Sequence, residues 1–257
     1  MATFLFDEII FGPVRSRRLG VSLGVNLLPT TTKVCSFDCI YCECGWTQSE
    51  QSSKLPSRGL VKEKMIERFE DMKSKGELLD VITFAGNGEP TLHPEFEGVI
   101  DDTIELRNKY FADARIAVLS NSTMLHKPSV VKSLLKIDQN ILKLDSGFDA
   151  TIQLLNQPHK PTSAEEVIRH LEQFKGNFIL QTMFIRGSYQ GLEVDNTTDK
   201  EIEKWLLAIE RLKPKEIMIY TIARDTPVDS LKKVPIADLE NIANRARALG
   251  IPVQVSG

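Results

Sequence analysis

The sequence predicts an α/β fold, a parallel sheet covered by helices. Seven short runs rich in Val, Ile, Leu and Phe recur along the 257 residues, near-continuously apolar as strands buried on both faces are. Between successive runs lie stretches with apolar residues at the three- and four-residue spacing of a helix with one buried face. No internal repeat, low-complexity tract or linker interrupts the alternation, so residues 1–257 read as a single domain.

The first strand falls at 21–28 (VSLGVNLL), ended by Pro29. A helix over 60–75 places Val61, Met65, Phe69 and Met72 on one face and stops at Gly76. A strand over 80–84 (DVITF) leads to a helix over 95–110, with Phe96, Val99, Ile100 and Ile104 inward. The strand 115–119 precedes a helix opened by Pro128, whose fixed φ suits a first turn. A strand at 141–144, a helix at 163–174, a strand at 178–185 and a helix at 199–212 follow. A strand at 216–221, a helix to about 249 and a final strand at 252–255 complete the pattern. Ser163 with Glu166 and Thr198 with Glu201 read as capping boxes. An open doubly wound sheet and a partial or full barrel both satisfy this alternation, and in either, ligands gather beyond the carboxyl ends of the strands.

Composition narrows the function classes. A net charge of −3 gives no global electrostatic reason to expect a nucleic-acid partner. No apolar run is long enough for a membrane span, and the opening MATFLFDEIIFG lacks the basic region and cleavage site of a signal peptide. The expectation is a cytoplasmic protein, where clustered thiols serve metal binding or catalysis more often than disulfides.

The irregular segment 30–59 holds all four cysteines, three of them within Cys35-Ser36-Phe37-Asp38-Cys39-Ile40-Tyr41-Cys42. A loop of that length in a compact domain points to function. Buried thiols acting as small hydrophobes fit poorly, because Lys33, Asp38 and Glu43 mark the loop as polar. Structural zinc on Cys35, Cys39, Cys42 and Cys44 would tie down little chain, since such sites draw ligands from separated knuckles. An iron–sulfur cluster on Cys35, Cys39 and Cys42 is the third reading; three thiolates on a four-iron cube leave one iron open to a small molecule.

The spacing CxxxCxxC, with the aromatic Tyr41 before the last Cys, resembles the signature of the radical S-adenosylmethionine (radical SAM) superfamily. After the second strand, Ala85-Gly86-Asn87-Gly88-Glu89-Pro90-Thr91 is similar to that superfamily's GGEP motif. The resemblance implies a partial (β/α)6-type parallel barrel with a final short strand, a [4Fe–4S] cluster on Cys35, Cys39 and Cys42, and S-adenosylmethionine (SAM) as cofactor. It implies that Gly86, Gly88 and Glu89 hold the methionyl amino group, the glycines by leaving room for it. By the same resemblance Ser120 and Asn121 are candidates for the SAM ribose or carboxylate, and Tyr41, Asp145 and Gln181 for further SAM contacts. Tyr220 fits that wall weakly, and Cys44, without a counterpart in the motif, is expected to be incidental.

The stretch from Phe11 to Asn26, with GNGEPTLHP and KLDSG, resembles a subgroup of Fe–S oxidoreductases related to the wybutosine-pathway demethylwyosine synthase. That relative modifies a tRNA guanosine with pyruvate and a second cluster; here only Cys44 remains for a second cluster, so its reaction is not carried over. The resemblance implies reductive cleavage of SAM to a 5′-deoxyadenosyl radical that abstracts hydrogen from a substrate, with a flavodoxin- or ferredoxin-like electron donor. The substrate, whether small molecule, RNA or protein, stays open; the alternatives are a tRNA-modifying enzyme, an activase of a glycyl-radical partner and a non-catalytic zinc module. Residues 1–20 are expected to form an extension on the barrel, with Arg15, Arg17 and Arg18 bracing the fold by ion pairs rather than meeting phosphate. With the last strand near residue 257, a large substrate or partner is expected to complete the wall over the open end.

Overall fold

The structure, a computed structural model, describes residues 4–16, 19–47 and 54–257. Strand β1 (Ile10–Ser16) turns back on β2 (Gly20–Val25) as an antiparallel pair. The chain then alternates through α1 (Arg58–Ser74), β3 (Val81–Phe84), α2 (Phe96–Tyr110), β4 (Arg115–Ser120), α3 (Pro128–Leu134) and β5 (Gln139–Lys143). It continues through α4 (Asp149–Asn156), α5 (Ala164–Leu171), β6 (Ile179–Met183), the hairpin β7 (Ile185–Tyr189) and β8 (Leu192–Asp195), and α6 (Asp199–Leu212). Strand β9 (Glu216–Tyr220), the short β10 (Lys232–Lys233), α7 (Ile236–Arg247) and β11 (Val253–Ser256) follow.

The main sheet runs β1-β2-β3-β4-β5-β6-β9-β11, with every pair after the first parallel. A doubly wound sheet reverses its order once; this one never does. Right-handed crossovers therefore carry every helix to the same side. Side-chain packing agrees. Ile82, Phe84, Ile116, Val118, Leu142, Leu180, Ile217 and Ile219 share one core with residues from all seven α-helices. On the other face Val81, Ala117, Ile141, Ile179 and Met218 meet one another in a small second cluster. A sheet with helices on one face and its own side chains filling the other is curled. The architecture is thus a partial (β/α)6 barrel, from β2 to β9, with β11 as a final short strand.

Several elements differ from the sequence expectation. The run at 178–185 is broken at Phe184. Its amide bonds the Tyr220 carbonyl, after which β7 leaves the barrel to pair with β8. The connecting residues Gln190 and Gly191 both have positive φ, 52° and 78°, as a two-residue primed hairpin turn requires. Helix α4 was not expected, and it carries Ile152 into the core. Ser163 and Thr198 do cap α5 and α6, accepting from the amides of Glu166 and Glu201 at 3.1 and 3.4 Å. Glu201 does not return the bond; its carboxylate accepts from Ser146 and Thr151 instead. No helix among the described residues is long and apolar enough to cross a membrane.

Candidate functional site

The cysteine loop is sewn between two strand-end turns. On one side Val34 N donates to Asn87 O at 2.9 Å and Glu89 N to Val34 O at 3.1 Å. On the other, Asp38 N and Ile40 N donate to the carbonyls of Gln157 and Leu155 beyond and within α4, and His159 N donates to Ser36 O. Phe37 and Ile40 anchor the loop apolarly against Leu155, Met183 and Ile185. The side chains of the next turn hold it from outside. Asn87, fully buried, bonds the main chain of Phe6 and the Pro29 carbonyl, and His93 Nε2 meets the Pro56 carbonyl at 2.8 Å.

These anchors bring Cys35, Cys39, Cys42 and Cys44 to the wall of one cavity of about 170 Å³ at the carboxyl ends of the strands. Tyr41, Gly86, Gly88, Glu89, Ser120, Asn121 and Gln181 line it too, as do Lys33, Lys143 and Tyr220. Two hollows of about 540 Å³ each, beside α1 and between α5 and α6, contain no thiol; a third of about 450 Å³ borders the site, lined by Cys35 and Ser36 with Thr123, His126, His159 and His170.

Within the cavity wall the roles separate. Glu89 is buried, and its carboxylate accepts from Thr91 N at 3.1 Å, Ser120 Oγ at 2.9 Å and Asn121 N at 2.6 Å. Burial raises its pKa against these bonds, and the carboxylate ties the β3 turn to the β4 turn. Asn121 Nδ2 donates to Ser36 Oγ at 2.9 Å and reaches Cys35 Sγ at 3.5 Å. Asp145 does not line the cavity. It lies behind it, accepting from Tyr41 Oη, Asn156 Nδ2 at 2.7 Å, Met183 N at 3.0 Å and Lys143 Nζ at 3.3 Å. Gln181 is 5% exposed, and its side-chain amide has no hydrogen-bond partner among the described residues.

Gly88 has a different reason from the one the sequence suggested. At φ +135° its Cβ would stand 1.9 Å from the Val34 carbonyl oxygen, so the room it leaves is taken by the cysteine loop rather than by a cofactor.

Two buried lysines were missed by sequence reasoning, although Lys33 stands two residues before Cys35 and Lys143 two before Asp145. Lys33 has a side chain 1% exposed; its ammonium donates to Asp38 at 2.9 Å and to the Gly45 carbonyl at 2.8 Å. Burial opposes its charge, but the Cys42 and Cys35 sulfurs and Asp38 outweigh burial and raise its pKa. Asp38 is lowered to about 2: burial is outweighed by bonds from His159, Lys33 and the Thr47 amide. Lys143 donates to the Tyr41 and Tyr220 hydroxyls at 3.1 and 3.2 Å, and Asp145 and Tyr220 keep it charged despite burial. Burial pushes the Cys39 thiol up to about 11 and raises Cys35 further. Cys42 is lowered to about 6, chiefly by a hydrogen bond from Cys44 and with Lys33 beside it, while Cys44 is raised by keeping that proton.

This donor set suits an iron–sulfur cluster. Four thiols of one loop line a shared cavity beside a buried cation, three of them at the CxxxCxxC spacing, with further polar groups around it. Among the described residues no three His, Cys, Asp or Glu side chains converge as a single-ion site requires, which weighs against the zinc reading. Of the basic run, Arg15 is exposed on β1 with no ion pair to a described residue; Arg17 and Arg18 lie outside the described residues.

The sequence family described as the Radical SAM superfamily matches residues 30–188. A UPF0026 protein of Methanocaldococcus jannaschii is 30% identical over 222 residues, covering 84% of this chain and 64% of its own. A Brachyspira hyodysenteriae protein named GTPase Obg is 28% identical over 236 residues, covering 90% of this chain and 32% of its own. The chain thus spans less than two thirds of each of these relatives. In fold it is similar to a radical SAM methyltransferase from Sphaerobacter thermophilus, with TM-score 0.66 at 15% identity over 91% of this chain and 65% of that one. It is similar also to Streptococcus suis SuiB bound to S-adenosylmethionine, with TM-score 0.63 at 16% identity over 91% and 50%.

Proposed function

The chain belongs to the radical SAM superfamily, and on that premise we propose that this enzyme holds a [4Fe–4S] cluster on Cys35, Cys39 and Cys42 and binds SAM against it. Held by these residues, the cluster and SAM would supply radical chemistry: one electron from an external donor would cleave the SAM sulfonium bond, and the substrate would lose a hydrogen atom. The observation that carries this reading is the meeting of three thiols of one loop, the unpartnered Gln181 amide and the turns after β3 and β4 around one cavity.

The chain's own residues then divide the work. Ser120, Asn121, Gly86 and Tyr41 form the SAM-facing wall, Gln181 supplies a free amide to it, and Gly88 seats the cysteine loop behind it. Glu89 holds Ser120 and Asn121 in register, and Asp145 acts from behind by orienting Tyr41 and Lys143. Phe37 and Ile40 keep water from the loop's inner side. The family requires a one-electron donor, here read as flavodoxin- or ferredoxin-like, and an oxygen-sensitive cluster suits the reducing cytoplasm.

Anaerobic reconstitution tests the reading. About four irons per chain are expected, lost on Cys35→Ala, Cys39→Ala or Cys42→Ala and kept on Cys44→Ala. Dithionite with SAM should yield 5′-deoxyadenosine; tight zinc without iron uptake would overturn the assignment. RNA is a second reading for the substrate, favoured by the exposed Arg15 with no ion pair to a described residue.

A further inference from the structure

Lys33 is an unusual residue to bury. Its side chain is 1% exposed, whereas the loop's described long polar chains Glu43 and Lys54 reach solvent, and it lines the same cavity as the cysteines. Two of its donors are fixed, by Asp38 at 2.9 Å and the Gly45 carbonyl at 2.8 Å. Asp38 is shared: His159 Nε2 meets its other oxygen at 2.9 Å, and the Thr47 amide donates at 2.7 Å to the oxygen that Lys33 bonds. Asp38 therefore anchors the ammonium without being its private counter-ion, and Lys33 shares one cavity wall with Cys35 and Cys42, whose sulfurs favour its charged form.

We propose that Lys33 is a positioning residue for electron entry: its fixed buried charge stabilises the added electron on a cluster held by Cys35 and Cys42. The inference rests on the cluster reading above. Adding one electron from a one-electron donor makes a thiolate-ligated cluster more negative by one charge, with no bond formed or broken. A cation fixed on the wall of the same cavity, in a poorly screened interior, favours that state over the oxidised one. A charge that needed to be ordered at the moment of reduction would be worth less. Here the Asp38 and Gly45 bonds hold it in advance.

The test is an anaerobic redox titration of the reconstituted cluster without SAM, followed by electron paramagnetic resonance. Lys33→Gln should disfavour reduction by tenfold or more, a shift of at least about 59 mV to more negative potential for one electron. Lys33→Arg, keeping the charge, should restore most of it. Asp38→Asn, removing the opposing charge, should shift the potential the other way. Equal potentials in wild type, Lys33→Gln and Asp38→Asn, with iron content intact, would overturn this inference and leave the cluster reading standing. If Lys33→Gln loses its iron, the sign of the Asp38→Asn shift decides, and no shift there overturns the proposal. Failure of the wild type to take up iron would sink both readings.

Discussion

Gly88 lies against the main chain of Val34, so closely that a Cβ built on it would stand 1.9 Å from the Val34 carbonyl oxygen and 2.5 Å from its carbon. The two residues form an isolated parallel bridge, completed by the Asn87 carbonyl, which accepts from Val34 N, and the Glu89 amide, which donates to Val34 O. The turn after β3 is thereby a template for the cysteine loop, one residue before Cys35.

Gly88→Ala should therefore act on the cluster before it acts on SAM. The φ of +135° alone costs an L-residue on the order of 1–3 kcal/mol, and the overlap with Val34 adds to it. Iron content after reconstitution should fall several-fold and the melting temperature should drop. A variant with full iron and impaired SAM binding would return Gly88 to the cofactor wall.

Gln181 offers the opposite separation. The Gln181 amide faces the cavity without a protein hydrogen bond to lose, so Gln181→Leu should melt at nearly the same temperature as wild type. If the amide serves SAM, the same variant should bind SAM about tenfold more weakly, near 1.4 kcal/mol, with its iron intact. Calorimetric titration of the reconstituted variant checks this. Unchanged affinity would remove Gln181 from the site.

What could be read from the sequence and what could not follow a physical division. The strands β2 to β6 and β9 were legible because burial on both faces leaves continuous apolar runs. The thiols were legible because a loop that binds one group must carry its ligands at short spacing. The edge strand β1 was not, because Ile10 alone of its seven residues is buried and Gly12 and Pro13 interrupt it with a bulge. The break at Phe184 was hidden because Met183, Phe184 and Ile185 are all buried although they serve different sheets. Lys33, Lys143 and Asn87 act through contacts more than ten residues away in sequence or more, and a lysine carries no mark in its local sequence that it will be buried. Asp145 was recognised as special; its position behind Tyr41 depends on Asn156, which comes from the unexpected α4.

Away from the site, Asp102 clamps α1 to α2. Arg58 donates to it through Nε at 2.6 Å and Nη2 at 2.9 Å, and Lys62 through Nζ at 3.1 Å. The Arg58 bond, aided by Lys62, holds the Asp102 carboxyl below its ordinary value of 3.8. A depressed carboxylate stabilises the fold fully above the ordinary value and loses that contribution as pH falls through the folded one. Asp102→Asn should cost about 1 kcal/mol at pH 7 after solvent screening, or about 2–4 °C in melting temperature. The gap between variant and wild type should hold from pH 7 to 5 and narrow toward pH 3. A gap independent of pH over that range would mean that packing, not charge, sets the cost.

The substrate is where Arg15 becomes informative. On β1 it is exposed and makes no ion pair with a described residue, so its removal should leave the melting temperature within about 1 °C if it plays no bracing part. An RNA partner would use such a side chain on phosphate, and binding would then weaken with salt at a log–log slope of roughly −0.7 per phosphate contact on a single strand. Titrating total cellular tRNA at low and moderate salt, with wild type and Arg15→Ala, separates the two roles. Sub-micromolar binding whose salt slope falls by one contact in a fully stable Arg15→Ala variant makes RNA the substrate class. A destabilised variant with no salt-dependent ligand to lose would instead assign Arg15 to the fold, and a small molecule or protein would then be the class to search.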